Sequence, residues 1–271
     1  MGHWTLDDIP WDRFEPDKVD PAILSIVKAA SLVEQNGADY ANYLCSVFAD
    51  DAGFQAAARG WGTEEAQHGR ALGRWATLAD PIFDHAAACA RFTAGFRVSP
   101  SAQHSVRGSR AGELVARCIV ETGTSSYYTA LAEATREPVL KAICRRIAAD
   151  ELRHYKLFYD HLSRYLAAER IGAWGRVRVA LGRIVESEDD ELAYAYHAAN
   201  QPALPYDRRS AARAYARRAY AVYRPHHVER GMAMIFKAVG LKPHGRLNLL
   251  ATRLAWWGMQ KRVLRLERLA A

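Results

Sequence analysis

Apolar positions recur through the first two thirds of the chain at steps of three and four residues, the period of an amphipathic α-helix. Four long segments share this pattern, and we predict helices at about 21–49, 51–78, 109–136 and 137–168. Asp20-Pro21 is typical of a helix start, with Asp as the cap and Pro in the first turn. Runs of β-branched residues are scarce, so the sequence predicts an all-α fold.

A glutamate interrupts each of the four apolar stripes. These residues are Glu34, Glu65, Glu121 and Glu151. In the second and fourth helices a histidine, His68 or His154, follows three residues later, on the same helical face as the glutamate. A charge inside an apolar stripe is costly unless it is paired or bound to a metal ion. The interruptions therefore indicate a buried polar centre.

The two halves of this pattern repeat each other. Glu34 precedes Glu121 by 87 residues, and His68 precedes His154 by 86. Four helices that each give one inward Glu, with a Glu-x-x-His motif on two of them, form a di-iron carboxylate site in a bundle. Six metal ligands are therefore predicted, with Glu65 and Glu151 bridging: Glu34, Glu65, His68, Glu121, Glu151 and His154. The adjacent Glu64 lies off the inner face and is predicted to be a solvated acid.

Carboxylate and imidazole ligands favour iron or manganese, and zinc remains open. Two divalent ions would nearly balance four carboxylates. Matched spacing in two hairpins argues against the alternative that these residues are ordinary surface acids. The sequence therefore predicts two iron ions as cofactors, with manganese as an alternative.

Two stretches resemble a known family. Trp61-Gly-Thr-Glu-Glu-Ala-Gln-His68-Gly and Ile147-Ala-Ala-Asp-Glu-Leu-Arg-His154 are similar to stretches of the soluble acyl-carrier-protein desaturases, in the ferritin-like di-iron superfamily. The start of the chain, Trp4 to Pro10, is similar to the N-terminal arm of that family. The resemblance covers residues 4–168, and the segment after residue 200 has no counterpart.

The resemblance implies a ferritin-like four-helix bundle with additional C-terminal helices. It implies an O2-dependent enzyme that desaturates or hydroxylates a fatty acyl chain, carried by an acidic acyl carrier protein, with electrons from a ferredoxin-like donor. It assigns Thr124 to oxygen activation or proton delivery, places Trp61 and Asp150 around the ligands, and implies a homodimer. A tRNA-modifying di-iron hydroxylase and an iron-oxidising or peroxide-scavenging protein remain alternatives. The absence of a Cys-x-x-Cys module counts against the rubrerythrin form of the last.

Charge is distributed unevenly along the chain. From Arg208 to the end, 15 Lys or Arg face two acids, a net charge of +13. Because the whole chain carries +7, residues 1–207 carry −6. A basic amphipathic last helix, at about 245–269, fits an anionic membrane surface, an acidic carrier protein or, less well, nucleic acid. Packing of these helices on the bundle, with a solvated basic rim, is the simplest alternative.

The remaining features set the domain division and the compartment. We predict an N-terminal arm at 1–20, the bundle at 21–168 and a helical basic extension at 169–271, with helices at 171–199, 207–223 and 226–239. The four cysteines form no motif and are expected to be reduced. The first 20 residues lack the basic start and apolar core of a signal peptide. We therefore expect a cytoplasmic protein, soluble or peripheral to the membrane.

Three further features have both a chemical and a structural interpretation. Tyr127 or Tyr128 could be redox-active, although a structural tyrosine is the more common case. His161 continues the inner face of the fourth helix and could support the ligands or pack in the core. His226-His227 follows a proline in a predicted surface turn and is a weak candidate for a second metal site.

Overall fold

The computed structural model describes residues 3–96, 104–187 and 190–268. This part of the chain contains eleven α-helices and no β-strand, which confirms the all-α prediction. In chain order the helices are α1 (Pro21–Gln35), α2 (Gly37–Val47), α3 (Ala52–Ala79), α4 (His85–Gly95), α5 (Arg110–Ala134), α6 (Pro138–Ala168), α7 (Ala173–Ser187), α8 (Glu191–Asn200), α9 (Arg208–Ala221), α10 (Pro225–Ala238) and α11 (Arg246–Arg268). Ser99-Pro100-Ser101, a sequence that predicts a loop between α4 and α5, lies outside the described residues.

Local capping explains where the long helices begin. The Asp20 carboxylate accepts the backbone N–H of Ala22 at 2.7 Å, and Pro21 occupies the first turn of α1. Glu137 caps α6 in the same way and accepts the backbone N–H of Leu140 at 2.7 Å. Both predicted starts are confirmed, because each cap satisfies N–H groups that the first helical turn leaves without a partner.

The prediction of one continuous helix at 21–49 is wrong. The helix breaks at Asn36, and α1 and α2 are separate segments. Ala38, expected on the inner stripe, is consequently exposed, whereas Ala41 and Cys45 return to the interior. The Asn-Gly pair at 36–37 favours such a local break, since both residues are typical of turns.

The break brings the backbone of α2 close to α3. A Cβ at Gly37 would overlap the Cβ of Glu65, and a Cβ at Gly69 would overlap the backbone of Gln35. Only glycine leaves room for this approach. The two glycines therefore set the distance between the first two ligand-bearing segments.

The polar centre separates two apolar clusters. One contains Leu72 and Ile143, and the other contains Leu44 and Phe158. α5 and α6 are joined by only three residues and pack along each other, as an antiparallel hairpin does. α1 pairs with α3 and α5 pairs with α6, and within each pair the residues before one glutamate share a cluster with the residues after the other. Glu65, Glu121 and Glu151 lie near the middle of α3, α5 and α6.

The C-terminal helices pack on this frame. α8 and α9 contact α1, α7 and α10 contact α5, and α11 contacts α9 and α10. The single helix predicted at 171–199 is wrong, because α7 ends at Ser187 and α8 begins at Glu191. In the described ranges, no helix combines the length and apolarity that crossing a bilayer requires.

Candidate metal centre

Four helices bring the six predicted ligands together. Glu34 lies at the end of α1, Glu65 in α3, Glu121 in α5 and Glu151 in α6. All four carboxylates and both imidazoles are buried. They converge because each projects from the inner stripe of its own helix at the same level of the antiparallel frame.

The ligand atoms form two groups of four that share two members. One group is Glu34, Glu65, His68 and Glu151; the other is Glu65, Glu121, Glu151 and His154. Within each group the donor atoms lie within 4.8 Å of one another. The shared residues are Glu65 and Glu151, the pair predicted to bridge two ions.

Both histidines face the centre through Nδ1. His68 Nδ1 lies 3.3 Å from Glu151 Oε1 and 3.7 Å from Glu34 Oε2. His154 Nδ1 lies 2.9 Å from Glu65 Oε1 and 3.7 Å from Glu121 Oε2. Each imidazole therefore belongs to one group, and the two ring centroids are 5.8 Å apart.

Several buried oxygen and nitrogen atoms of the six side chains lack a hydrogen-bond partner among the described residues. They are Glu65 Oε1, His68 Nδ1, Glu121 Oε1, Glu151 Oε1 and His154 Nδ1. Buried polar atoms are almost always paired, and a cluster of carboxylate oxygens and imidazole nitrogens without partners could hold metal ions. Two divalent cations would satisfy these atoms and balance the four carboxylates. The residues therefore fit a dinuclear metal site.

Burial and mutual interaction shift the pKa values of the side chains in the centre. Burial raises the pKa of Glu65 well above its ordinary value and that of Glu121 to about 8. Burial also opposes ionisation of Glu151, but the adjacent imidazoles of His154 and His68 outweigh it and lower the pKa of Glu151. The carboxylates in turn hold the pKa of His68 well above the ordinary range, although burial acts in the opposite direction.

A carboxylate outside the ligand set holds each histidine. His68 Nε2 lies 3.0 Å from Asp150 Oδ2, and His154 Nε2 lies 2.8 Å from Glu64 Oε2. A carboxylate that accepts the outer N–H leaves the inner nitrogen free to bind metal. Asp150 thus contacts a ligand histidine, as the resemblance implies.

The prediction that Glu64 is a solvated acid is wrong. Its side chain is only 27% exposed and accepts hydrogen bonds from His154 and Arg153. Glu65 faces the centre, whereas the side chain of its neighbour Glu64 reaches His154 and Arg153 on α6. Helical periodicity identified the face, but it could not show that a second helix lies opposite that face.

Thr124 contacts the centre directly. Its hydroxyl donates to Glu151 Oε2 at 2.7 Å and lies one turn after Glu121 on α5. The hydroxyl of Tyr128, one turn further along, donates to Glu34 Oε1 at 2.6 Å. Burial raises the pKa of Tyr128 well above its ordinary value, so this phenol keeps its proton. The contact of Tyr128 with a ligand was not predicted.

Trp61 and His161 lie outside the centre. The Trp61 ring packs edge-on against Phe158, with centroids 5.4 Å apart, and its N–H has no partner in the ranges the structure describes. His161 packs against Phe54 at 4.9 Å and accepts a hydrogen bond from Arg164. Neither residue hydrogen-bonds to a ligand within these ranges.

The N-terminal arm supplies the tryptophan that reaches the ligand surroundings. Trp4 donates its indole N–H to Asp150 Oδ2 at 2.7 Å, and its ring stacks on His68 with a centroid distance of 6.0 Å. His3 Nε2 lies 2.9 Å from the same Asp150 oxygen, and Gln67 holds the backbone of Trp4. Sequence spacing could not reveal this contact, because about 146 residues separate its partners.

A cavity of about 270 Å³ borders the centre between α1, α5, α8 and α9. Glu34, Thr124 and Tyr128 form part of its wall. Apolar and aromatic side chains form much of the wall, among them Ala30, Val33, Ile119, Val120, Tyr215 and Tyr220, and charged side chains of α7, α8 and α11 complete it. Glu186, half exposed, marks the side on which the cavity meets solvent.

The His226-His227 pair does not fit a second metal site. Glu133 lies 3.0 Å from Nε2 of each ring. The backbone N–H of Arg224, however, donates to His227 Nδ1 at 2.9 Å, so the proton of the neutral ring lies on Nε2. Burial lowers the pKa of His227 and favours that neutral form. A protonated Nε2 cannot bind metal, and these residues form a hydrogen-bonded contact between α5 and α10.

Comparisons with known proteins do not supply a family. No protein-family model matches the chain, and no curated protein matches it. Function must therefore be inferred from the side chains and their geometry.

Proposed function

We propose that α1, α3, α5 and α6 form a ferritin-like four-helix bundle around two iron ions. The supporting observation is that two groups of four donors share Glu65 and Glu151. Each remaining ligand belongs to one group only, as expected for two ions joined by two bridging carboxylates. In this proposal Glu34 and His68 complete one ion's ligands, and Glu121 and His154 complete the other's.

We further propose that the protein is an O2-dependent oxidoreductase acting on an aliphatic chain, most simply by desaturating or hydroxylating a fatty acyl group. In desaturation the chain loses two hydrogens, while O2 takes up those hydrogens with two electrons and two protons to form two waters. A ferredoxin-like donor provides the electrons. The iron ions supply the oxidation of an unactivated C–H bond, which protein side chains alone cannot perform.

The cavity next to the ligands favours an aliphatic substrate. Its wall includes Val33, Ile119 and Val120, which offer no hydrogen bonds to a nucleobase, and its charged members Arg183, Glu191 and Arg262 come from α7, α8 and α11. An apolar wall excludes water and orients a chain by shape. The tRNA-modifying alternative has support only in the charge of the C-terminal helices.

The residues around the ligands have distinct tasks. Asp150 and Glu64 fix the orientation of the two imidazoles, and Tyr128 fixes Glu34 through its hydroxyl. Thr124 holds a proton on Oγ1, 2.7 Å from Glu151 and on the cavity wall. This is the position from which a proton can move between the cavity and a ligand carboxylate.

The test begins with metal content. Anaerobic reconstitution of the full chain with ferrous iron is expected to give two ions per chain, and Glu151→Ala is expected to lose them. Glu133→Gln is the matched control, because Glu133 is half exposed and its ion-pair partners among the described residues are His226 and His227. Failure of the wild-type chain to bind iron or manganese would overturn the site.

The reaction is then tested with O2, a ferredoxin and acyl substrates, free or carrier-bound. Mass spectrometry should detect loss of two hydrogens or gain of one oxygen atom. Iron oxidation with mineral formation and no organic product would favour storage instead. A modified tRNA with unmodified acyl chains would favour the RNA alternative.

A further inference from the structure

The outward face of α11 carries a continuous apolar stripe. Its members follow one another at steps of three and four, interrupted only by Lys261, and all are exposed: Leu247, Leu250, Leu254, Trp257 and Leu264. Leu254 is 58% and Trp257 57% exposed. The opposite face, with Asn248 and Leu266, is buried against the protein. Single exposed leucines are ordinary, but a stripe along a whole helix indicates an interaction surface.

Cations alternate with this stripe. α11 contains six Lys or Arg and one acid, Glu267, a net charge of +5. Five of the cations are exposed, beside or within the stripe: Arg246, Arg253, Lys261, Arg265 and Arg268. The Lys261 ammonium lies over the Trp257 ring, 3.8 Å from its centroid, so a cation–π contact joins a charge to the apolar stripe.

α7 also carries exposed apolar residues at helical spacing. Trp174 is 86% exposed, and Leu181 and Val185 follow it at helical spacing. Arg176 of α7 packs against Gly240 in the turn between α10 and α11. α7 and α11 also line the cavity beside the metal centre, through Glu186 and Arg262 respectively. The two helices that carry the exposed stripes therefore both border this cavity.

We propose that α7 and α11 dock the protein onto the surface of an anionic lipid bilayer. The exposed leucines and tryptophans would enter the boundary between headgroups and acyl chains, and the interleaved cations would contact lipid phosphates. A helix of this kind lies along the interface. The docked face brings the cavity towards the acyl chains of the membrane, a consequence that rests on the proposed function, whereas docking itself does not.

The net positive charge of α11 favours an anionic bilayer over a second copy of the chain at this surface. A symmetric contact through α11 would bring together two helices that each carry a net charge of +5. Such like charges oppose association, whereas anionic headgroups are attracted. Binding to RNA or to an acidic protein would use the cations, but it would leave the leucine stripe without a role.

The test is co-sedimentation of the full chain with vesicles of phosphatidylcholine, alone or mixed with phosphatidylglycerol. The chain should bind the mixed vesicles, and binding should weaken as salt is raised. Leu250→Glu and Leu254→Glu together should weaken binding by about tenfold or more, because two exposed leucines that would enter the bilayer are replaced by acids. Ile82→Glu is the matched control, because Ile82 is 93% exposed in the turn between α3 and α4.

Folding and insertion are checked separately. Helical content and iron binding should be unchanged in the double variant. Quenching of tryptophan fluorescence by brominated lipids should fall in Trp174→Phe and in Trp257→Phe. Vesicle binding is measured on both the apo protein and the iron-loaded protein. A protein that binds vesicles but oxidises no acyl chain would count against the proposed function and leave the docking proposal intact.

Three results would overturn the docking proposal. The first is a chain that stays in solution with both vesicle types. The second is vesicle binding abolished by Arg253→Glu and Arg265→Glu but unaffected by the leucine substitutions, since that pattern describes a polyanion site. The third is a dimer in solution that Leu254→Glu dissociates, since the stripe would then belong to a second copy.

Discussion

The two histidines of the centre depend on side chains that do not reach the metal position. Glu64 and Asp150 each accept the outer N–H of an imidazole, and Trp4 fixes Asp150 from the N-terminal arm. Such outer partners set the tautomer and the ring orientation. The geometry of a ligand is therefore decided by residues from a different helix or from the arm.

The role of Glu64 can be tested by truncation. Glu64→Ala removes the acceptor for the His154 Nε2 proton, and we expect iron affinity to fall by about 10- to 100-fold. Titration against a competing chelator measures this change. Glu133→Ala removes an acid of another histidine contact and should leave the affinity unchanged. Equal affinities for wild type and Glu64→Ala would refute the role of Glu64.

Thr124 is expected to act on turnover and not on metal binding. Thr124→Val keeps the shape but removes the hydroxyl that donates to Glu151, so iron content should remain while turnover falls by about 100-fold. Thr124→Ser should restore most of the rate, because it restores the hydroxyl. A Val variant with wild-type turnover would show that the hydroxyl moves no proton.

At this scale the sequence could predict residues that share a helical face with their partners. Glu65 with His68, and Glu151 with His154, are three residues apart, and spacing alone aligns them. Glu64 and Trp4 could not be predicted in their roles, because their partners lie on a distant part of the chain. Contacts between elements depend on packing, which helical periodicity does not encode.

At the scale of elements, glycines control how closely α2 and α3 approach. Gly37 begins α2 immediately after the break, and its Cα faces the Cβ of Glu65. This contact determines where the backbone of α3 presents one of the shared carboxylates. The contact between Gly37 and Glu65 thus links the packing of the helices to the geometry of the site.

Substitution of Gly37 tests this link. Gly37→Ala forces α2 away from α3, and we expect a loss of about 1–3 kcal/mol in the free energy of unfolding, as for other overpacked sites. Gly60→Ala is the control, because nothing lies within 4 Å of a Cβ there and the helix should gain about 1 kcal/mol. Urea unfolding measures both. Equal stability of the two variants would argue against the close-packing role.

Helix starts were predictable at this scale, but internal breaks were not. Asp20-Pro21 and Glu137-Pro138 carry their own capping chemistry, so local sequence was sufficient. The break at Asn36 also has a local signal in the Asn-Gly pair, but the apolar stripe continues through it and obscures that signal. The prediction followed the periodicity of the apolar stripe and missed the turn signal. In the structure the helix breaks at Asn36, and α2 packs against α3.

At the scale of the whole molecule, the fold encloses a strongly charged centre between two apolar clusters. Four buried carboxylates repel one another, and the apolar surface on either side must hold them together. The sequence predicted this arrangement for residues 21–168, because both clusters lie on the helical stripes. It did not predict how α7 to α11 cover the cavity, because their partners are surfaces formed only after the long helices pack.

Metal binding should therefore stabilise the whole fold. At free iron of 100 times the dissociation constant, each site adds about 2.7 kcal/mol, provided that iron binds only the folded chain. Urea unfolding of apo and iron-loaded protein measures this difference. Glu121→Gln keeps the shape of a ligand but removes its charge, so the apo form should stay within about 1 kcal/mol of wild type. The same variant should lose most of the gain from iron, because one ion then lacks a carboxylate. An equal gain in the variant and in wild type would mean that iron binds elsewhere.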